Sequence, residues 1–314
     1  MVRPHEGILS KAKSDRLNML YTLKANTSPI MGLYEDSDDA ITNMLASCTT
    51  NSPFLNVDLD SGEKHRLWAI TDRNIINFIE QNLHNKPIYI ADGHHRYESA
   101  LTYQKEQRLR VSSPRGSEKF DYVLVTLIQF NDPGLVILPA HRMIRGLTLD
   151  SIKNMKEGLN TFFNVDIIHL SPGDISQQID SLLGSNDTTK LVLYGPDKEL
   201  LYLLTVKDYE LVKKMMPYFH TETYQKMDVS ILDHVILEEL LGLTSDMVST
   251  HVDYIVNISE AVKCIVNEEY QLAIFVNPVK PAVIKAIADA GDRMPRKSTY
   301  FYPKIPAGLL VYRF

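Results

Sequence analysis

A strand-to-helix turn rich in titratable residues is the feature that most constrains this sequence. Residues 87–101 read PIYIADGHHRYESAL, an apolar run that stops at Asp92 and continues with helical spacing after Arg96. A short apolar run bounded by turn residues is typical of a buried β-strand, and the polar residues that follow fit the first turn of a helix. The stretch therefore predicts a strand, a tight turn at Gly93 and a helix.

The residue types of this turn favour anion binding. Gly93 can adopt backbone angles that strain other residues, and it lets a ligand approach closely. The first turn of a helix presents N–H groups and a partial positive charge, and Arg96 adds a forked donor suited to phosphate oxygens. His94 and His95 can donate to an anion or accept a proton. Asp92 can cap the helix, orient an imidazole or help to hold a metal.

Helical spacing indicates which side chains of the predicted helix face a cleft. Tyr97, Ala100 and Leu101 fall on one face, which we expect to face the core. His95 then points away from that face. At least one imidazole is thus left to face a cleft.

Two other interpretations of the turn stay open. Asp92 can be a simple N-cap, with the histidines as polar residues on a solvated first turn. Alternatively, Asp92, His94, His95 and His141 can hold a metal, since aspartate and histidine are good ligands. Neighbouring histidines diverge on a helix, however, and no HExxH pair supports them. We therefore predict no metal site.

Alternating strands and helices along the rest of the chain set the fold class. Their mixture of hairpin and crossover connections predicts an α/β to α+β fold with mixed β-sheets flanked by helices. The 314 residues suffice for one large domain or two ordinary ones. We expect an N-terminal region, residues 1–148, that contains the turn and a C-terminal α/β region, residues 149–314, packed as separate domains or as one unit.

Charge and composition exclude several classes of protein. The formal net charge of −6 gives no basic surplus for a nucleic-acid partner. No apolar run approaches the roughly 20 residues of a membrane helix, and the first residues lack the apolar stretch of a signal peptide. Cys48 and Cys264 lie far apart and outside any CxxC arrangement, which favours reduced thiols. We expect a cytoplasmic protein with small-molecule partners.

Two further polar clusters extend the list of candidates. His141-Arg142 ends a predicted strand, where site residues of α/β proteins commonly lie, although a solvated strand terminus is the alternative. Residues 295–304 (PRKSTYFYPK) place basic and hydroxyl groups beside aromatic rings, which can hold phosphate or form an edge strand with solvated lysines. The candidate phosphate- and substrate-binding residues outside the turn are His5, His141, Arg142, Lys297, Ser298 and Lys304.

Several long motifs in order resemble the family called domain of unknown function 1015, which also carries a SpoOJ/ParB-like label. These motifs are RPHEGILSKAKSDRLNML, PIMGLY, IADGHHRYESAL, DPGLVILPAHRMI and MPRKSTYFYPKIPAGLLVYRF. Members of this family often occur with serine-biosynthesis genes. The resemblance therefore implies a reaction that links serine, phosphoserine and a nucleotide.

The resemblance also implies a shortened chain. Typical members carry roughly a hundred further residues before the RPHE segment, including a Pro-Pro-Tyr-Asp motif, whereas Tyr34 here is followed by Glu35. In ParB-like kinases a carboxylate base comes from the chain upstream of the phosphate turn. If the upstream segment supplies that base, we expect this chain alone to be inactive.

The DGHHR turn is similar to the strand–Gly–His–His/Arg–helix turn of the ParB/sulfiredoxin-like fold, which binds nucleotide phosphates. This similarity implies that Gly93, His94, His95 and Arg96 form a phosphate-binding turn. It also implies ATP or ADP as the cofactor, with Mg²⁺ only as a companion of the nucleotide.

These observations together predict a nucleotide-dependent phosphotransferase or phosphatase that acts on a small metabolite such as serine or phosphoserine. Asp92, His94 and His95 are its candidate catalytic residues, and Gly93 and Arg96 are its candidate phosphate ligands. Two alternative functions stay open: a ParB-like nucleotide-binding, DNA-associated regulatory module and a metal-dependent hydrolase.

Overall fold

Two compact units, each assembled from segments distant in sequence, make up the chain. The computed structural model describes residues 1–7, 10–60, 62–110, 117–184 and 189–314. Unit 1 comprises Met1–Pro4, Ser10–Leu135 and Ile305–Phe314, and unit 2 comprises His5–Leu9 and Val136–Lys304. The division into 1–148 and 149–314 stays a prediction.

Unit 1 is built on a four-stranded mixed sheet with the strand order β1-β6-β3-β7. Strand pairs β1/β6 and β3/β7 are parallel, whereas β3 and β6 are antiparallel. Two antiparallel pairs, β2/β16 and β4/β5, complete its strands. The strands of this unit are β1 (Val2–Arg3), β2 (Ala25–Asn26), β3 (Ile30–Tyr34), β4 (Leu55–Asp58), β5 (Lys64–Leu67), β6 (Ile88–Asp92), β7 (Val125–Gln129) and β16 (Tyr312–Arg313).

The longest helix of unit 1 follows β6 directly and packs against the first helix. The Ser99 hydroxyl donates to the Lys13 carbonyl at 3.0 Å, and the rings of Tyr21 and Tyr103 meet edge to face with centroids 5.1 Å apart. The helices of this unit are α1 (Ser10–Leu23), α2 (Ala40–Cys48), α3 (Arg73–Leu83) and α4 (His94–Arg110), followed by a 3₁₀ turn at Lys119–Asp121.

Unit 2 contains a six-stranded antiparallel sheet with the order β10-β12-β11-β14-β9-β13. Strand β15 pairs separately with β8. In the pattern of β15, Phe301 is buried between exposed Tyr300 and Tyr302, so one aromatic ring packs inside. The strands are β8 (Val136–Leu138), β9 (His141–Ile144), β10 (Phe163–His169), β11 (Lys190–Tyr194), β12 (Leu200–Val206), β13 (Val252–Ile255), β14 (Leu272–Val276) and β15 (Tyr300–Tyr302).

Helices cover the sheet of unit 2 and bury its apolar side chains. One core cluster joins sheet residues such as Val192 and Phe275 to Ile179 and Ile265 on two of these helices. The helices are α5 (Leu149–Phe162), α6 (Ile175–Leu183), α7 (Tyr209–Lys213), α8 (Glu222–Gln225), α9 (Asp228–Ile231), α10 (Ser245–His251), α11 (Ile258–Val266) and α12 (Pro281–Asp289), with a π-helix at Leu232–Leu240 after α9.

The expected mixed α/β architecture with several sheets and flanking helices is confirmed. In the described ranges, no helix combines the length and the apolar character that crossing a membrane requires. The prediction that His141-Arg142 ends a strand is wrong, because residues 136–144 contain two strands, β8 and β9. Pro139 separates them because proline has no N–H for a ladder hydrogen bond. His141-Arg142 therefore begins a strand and does not end one.

Candidate functional site

The turn between β6 and α4 has the geometry that the sequence predicts. Strand β6 ends at Asp92, Gly93 has a φ of 93°, and α4 begins at His94. The Gly93 carbonyl accepts the N–H of Tyr97 at 2.9 Å, which is the first hydrogen bond of the helix. A positive φ of this size strains any residue with a Cβ. The backbone therefore requires glycine here.

Arg96 folds back over the turn and is held by contacts on both sides. Its Nη2 donates to Asp92 Oδ2 at 2.7 Å, and its Nη1 donates to the carbonyl of Pro29 at 2.7 Å and to the Ser28 hydroxyl. The side chain keeps 23% of its exposure. Burial lowers the pKa of this guanidinium, and the charge of Asp92 opposes that effect. Arg96 is thus a positioned, partly accessible cation.

Gly93 also makes room for this guanidinium. A Cβ at position 93 would lie 2.8 Å from Nε and 2.9 Å from Nη2 of Arg96. The sequence suggests glycine as a way for a ligand to approach, and the structure adds that Arg96 itself occupies the space beside it. Turn and guanidinium consequently form one positively charged corner at the start of α4.

The predicted core-facing side of α4 is only part of its buried surface. Tyr97, Ala100 and Leu101 are partly buried, but the most buried residues, His94, Ser99 and Tyr103, lie on more than one side of the helix. Contacts with α1 set this burial: Ser99 bonds to the carbonyl of Lys13 on α1, and Tyr103 packs on its Tyr21. Helical spacing alone does not carry this information.

The two histidines of the turn differ in accessibility. His94 is 7% exposed, so its imidazole lies within the fold. His95 is partly exposed. Of the pair, His95 is therefore the more accessible imidazole, and its role in binding a ligand stays a prediction.

An open cleft lies beside Arg96 and is lined entirely by residues of unit 1. One wall comes from α1 and α4, and the other comes from the segment around β2 and from Val123. The lining residues are Arg16, Met19, Leu20, Ala25, Asn26, Thr27, Ser28, Ile30, Arg96, Ser99 and Val123.

His141 and Arg142 belong to unit 2 and are both fully buried. Arg142 donates to both carboxylate oxygens of Asp233, at 3.2 and 3.3 Å, and to the Ala140 carbonyl at 2.6 Å. Burial lowers the pKa of His141 to about 3. A solvated strand terminus is therefore the wrong description of this pair. Its role in binding a substrate stays a prediction.

Of the other unit 2 candidates, Lys297 contacts this buried pair. The carbonyl of Lys297 accepts from Arg142 at 3.2 Å, and the Ser298 hydroxyl donates to the Pro295 carbonyl at 2.6 Å. Buried His5 lies 3.4 Å from the Thr299 hydroxyl, and Lys304 Nζ lies 4.4 Å from the ring centroid of Tyr300. The structure thus places His5, Lys297, Ser298 and Lys304 in unit 2, and their role in ligand binding stays a prediction.

Sequence reasoning missed the partners that hold the two arginines. Ser28 and Pro29 lie 68 and 67 positions from Arg96, and Asp233 lies 91 positions from Arg142. No local pattern marks such long-range contacts. Within the described ranges, no group of three or more histidine, cysteine, aspartate or glutamate side chains is placed to hold a metal.

Comparison with known proteins identifies a family. A family model described as "Protein of unknown function (DUF1015)" matches residues 1–233. No curated protein matches the sequence.

Solved structures with a similar arrangement have low sequence identity. A conserved hypothetical protein from Pyrococcus furiosus shares 11% identity over 98% of this chain and 89% of its own, with a TM-score of 0.43. A free serine kinase in complex with AMP has 10% sequence identity to this chain. The match covers 98% of this chain and 86% of the kinase chain, with a TM-score of 0.47. SbnI from Staphylococcus aureus, truncated at its C-terminus, has 10% sequence identity to this chain. The match covers 97% of this chain and 83% of the SbnI chain, with a TM-score of 0.42.

Proposed function

This chain belongs to the DUF1015 family, and we propose that it is a nucleotide-dependent phosphotransferase or phosphohydrolase acting on a small metabolite. A phosphate group of the nucleotide binds at the turn between β6 and α4. The observation that carries the proposal is the Arg96 guanidinium, which Asp92 and Pro29 hold over the first turn of α4 beside an open cleft. Backbone N–H groups, a helix dipole and a fixed cation together favour a phosphate.

The residues of the turn have distinct roles in this proposal. Arg96 and the first-turn N–H groups bind phosphate oxygens and stabilise the charge that develops during transfer. Asp92 orients Arg96, since its carboxylate accepts from the guanidinium at 2.7 Å, and its proposed role in orienting an imidazole stays a prediction. His95 moves a proton or donates to the phosphate, while buried His94 supports the turn. Gly93 allows the guanidinium to fold over it.

The proposed cofactor is ATP or ADP, because the turn and cleft offer cationic groups to an anion and apolar walls to its organic part. Mg²⁺ is proposed only as a companion of the nucleotide phosphates. The carboxylate of the turn, Asp92, is paired with Arg96, so the proposal does not use it as a magnesium ligand. We further propose that this turn is equivalent to the ParB/sulfiredoxin-like phosphate turn.

Serine or phosphoserine is the proposed second substrate, on the basis of the family resemblance. A hydroxyl acceptor suits phosphoryl transfer, which needs positioning and charge stabilisation more than covalent chemistry by the protein.

A thermal-shift panel tests the proposed function. The panel contains AMP, ADP, ATP, serine and phosphoserine, applied to the wild-type chain, to Arg96→Ala and to Arg96→Lys. A nucleotide at one hundred times its Kd should stabilise the wild type by about 2.7 kcal/mol, and Arg96→Ala should remove this stabilisation. Arg96→Lys keeps the positive charge but lacks the forked donors of the guanidinium. It should therefore recover only part of the stabilisation by nucleotide.

Arg73→Ala is the matched control, because Arg73 is an exposed arginine of the same unit on α3. It should respond to nucleotides as the wild type does. Equal stabilisation of the wild type and Arg96→Ala would disprove the phosphate turn.

A further inference from the structure

The cleft beside Arg96 contains a second guanidinium that the proposed function does not use. Arg16 on α1 lines the cleft together with Arg96. Its one hydrogen bond in the described ranges runs from Nη1 to the sulfur of Met19, at 3.4 Å. A thioether is a weak acceptor that carries no charge. The Arg16 guanidinium therefore has no carboxylate to neutralise it there.

The two arginines are close enough to affect each other. Burial lowers the pKa of Arg96, Asp92 opposes this effect, and the positive charge of Arg16 lowers the pKa further. Asp92 pairs with Arg96, whereas no carboxylate in the described ranges pairs with Arg16. An anionic ligand would relieve the repulsion between the two cations.

Two uncharged donors in the cleft wall also lack partners. Asn26 is 8% exposed, and its Oδ1 accepts the N–H of Leu124 at 3.0 Å. Its amide nitrogen and the hydroxyl of Thr27 have no hydrogen-bond partner among the described residues, although both side chains line the cleft. Both groups are therefore available to donate a hydrogen bond to a ligand in the cleft. The cleft thus offers donors that match an acceptor-rich ligand.

The remaining wall of the cleft is apolar. Met19, Leu20, Ala25, Ile30 and Val123 line it, and Leu20, Ala25 and Ile30 are among the buried apolar residues of unit 1. Such a wall contributes by removing apolar ligand surface from water. Inorganic phosphate could use the cationic end but not this wall.

We infer that the cleft between α1, α4 and β2 binds an organic phosphate monoester, with Arg16 as the second phosphate ligand and the apolar wall against its organic part. The inference rests on the proposed function and deepens it. Arg16, Asn26 and Thr27 are the ligand-binding residues it adds to the turn. The occupant has a phosphate at the Arg16–Arg96 end and an apolar, acceptor-bearing body, as a nucleoside monophosphate does.

Calorimetric titration of the full chain tests this inference, with AMP, adenosine and inorganic phosphate as probes. AMP should bind more tightly than either adenosine or phosphate, since only AMP uses both ends of the cleft. Arg16→Ala should weaken AMP binding about tenfold, equivalent to about 1.4 kcal/mol, and Arg16→Lys should restore part of the loss. Thr27→Val, which removes only a hydroxyl, should weaken AMP binding by a smaller factor.

Arg73→Ala serves again as the control for loss of one exposed arginine and should bind AMP as the wild type does. If Arg96→Ala weakens AMP binding while Arg16→Ala does not, the cleft inference is wrong and the proposed function stands. If the wild type binds AMP no more tightly than inorganic phosphate, the apolar wall is not used by the ligand and the inference is overturned. If the wild type binds no nucleotide at all, the proposed function fails as well.

Discussion

Two His-Arg pairs in this chain have the same sequence and opposite environments. In unit 1, His95-Arg96 lies at the start of a helix, and the Arg96 side chain is 23% exposed beside a carboxylate that is 39% exposed. In unit 2, His141-Arg142 lies in β9, which pairs with a strand on each side, and Arg142 is 0% exposed against an Asp233 side chain that is 21% exposed. The difference shows that a His-Arg dipeptide alone does not indicate a ligand-binding site. Accessibility decides which arginine can bind a ligand without first losing its protein partner.

The largest expected effect that tests this contrast is on the stability of unit 2. Arg142→Ala removes the partner of Asp233, three hydrogen bonds of the guanidinium with Asp233 and Ala140, and its contact with the Tyr254 ring at 5.1 Å. Breaking a buried ion pair leaves a carboxylate uncompensated, and we expect a loss of about 3–5 kcal/mol in the free energy of unfolding. Denaturant titration measures it.

Arg96→Ala is the comparison variant for that measurement. Its ion pair is partly exposed, so solvent screens the charges and we expect a smaller loss of stability. A loss for Arg142→Ala no greater than the loss for Arg96→Ala would contradict the assigned difference between the two arginines.

The pH dependence of stability is the next largest expected effect. Burial, aided by the charge of Arg142, lowers the pKa of His141 from 6.5 to about 3. Its Nδ1 accepts the N–H of Val276 at 3.2 Å, which requires a neutral ring. Between these two pKa values the unfolded chain binds a proton that the folded chain does not. The contribution of neutral His141 to the free energy of unfolding is therefore fully present above pH 6.5 and is lost as the pH falls towards 3. The expected loss between pH 7 and pH 5 is about 2 kcal/mol.

His141→Gln isolates this contribution, because glutamine can still accept a hydrogen bond but does not titrate in this range. The free energies of unfolding of the wild type and the variant, measured at pH 7 and pH 5, give the change in stability with pH for each protein. The wild type should lose more stability on acidification than the variant. Parallel slopes would show that His141 is not held neutral.

The smallest expected effect concerns Gly93, and it sharpens the description of the turn. Gly93→Ala places a Cβ at a φ of 93° and 2.8 Å from Arg96 Nε. Gly62→Ala is a matched control, since Gly62 has a φ of 85° and no neighbour within 4 Å of a Cβ. Both variants should lose about 1–2 kcal/mol from backbone strain.

Nucleotide binding should separate the two glycine variants. Gly93→Ala displaces the guanidinium and should weaken AMP binding in calorimetric titration, whereas Gly62→Ala should leave it unchanged. Equal affinities for AMP in both variants would indicate that the position of Arg96 over Gly93 does not matter for binding.

The sequence predicted features that depend on short-range patterns. The strand, the glycine turn and the helix over 87–101 follow from an apolar run, one glycine and helical spacing, and the structure has all three. Local propensity and hydrophobic pattern specify such elements with little help from the rest of the chain.

Features that depend on contacts between residues distant in sequence could not be predicted from the sequence. The buried face of α4 is set by α1, through Ser99 and Tyr103. Asp233 reaches Arg142 from a π-helix, and Arg16 reaches the cleft from a helix some eighty residues before Arg96 in a chain of 314. A single sequence carries no signal for these pairings, because each depends on how strands and helices pack in three dimensions.

The most direct test of the central claim is a crystal structure of this chain grown with AMP. The account predicts phosphate oxygens within hydrogen-bond distance of the first-turn N–H groups of α4 and of the Arg96 guanidinium, with the nucleoside in the cleft beside α1. A phosphate bound elsewhere on the molecule, with Arg96 still engaged only by Asp92, Ser28 and Pro29, would contradict it.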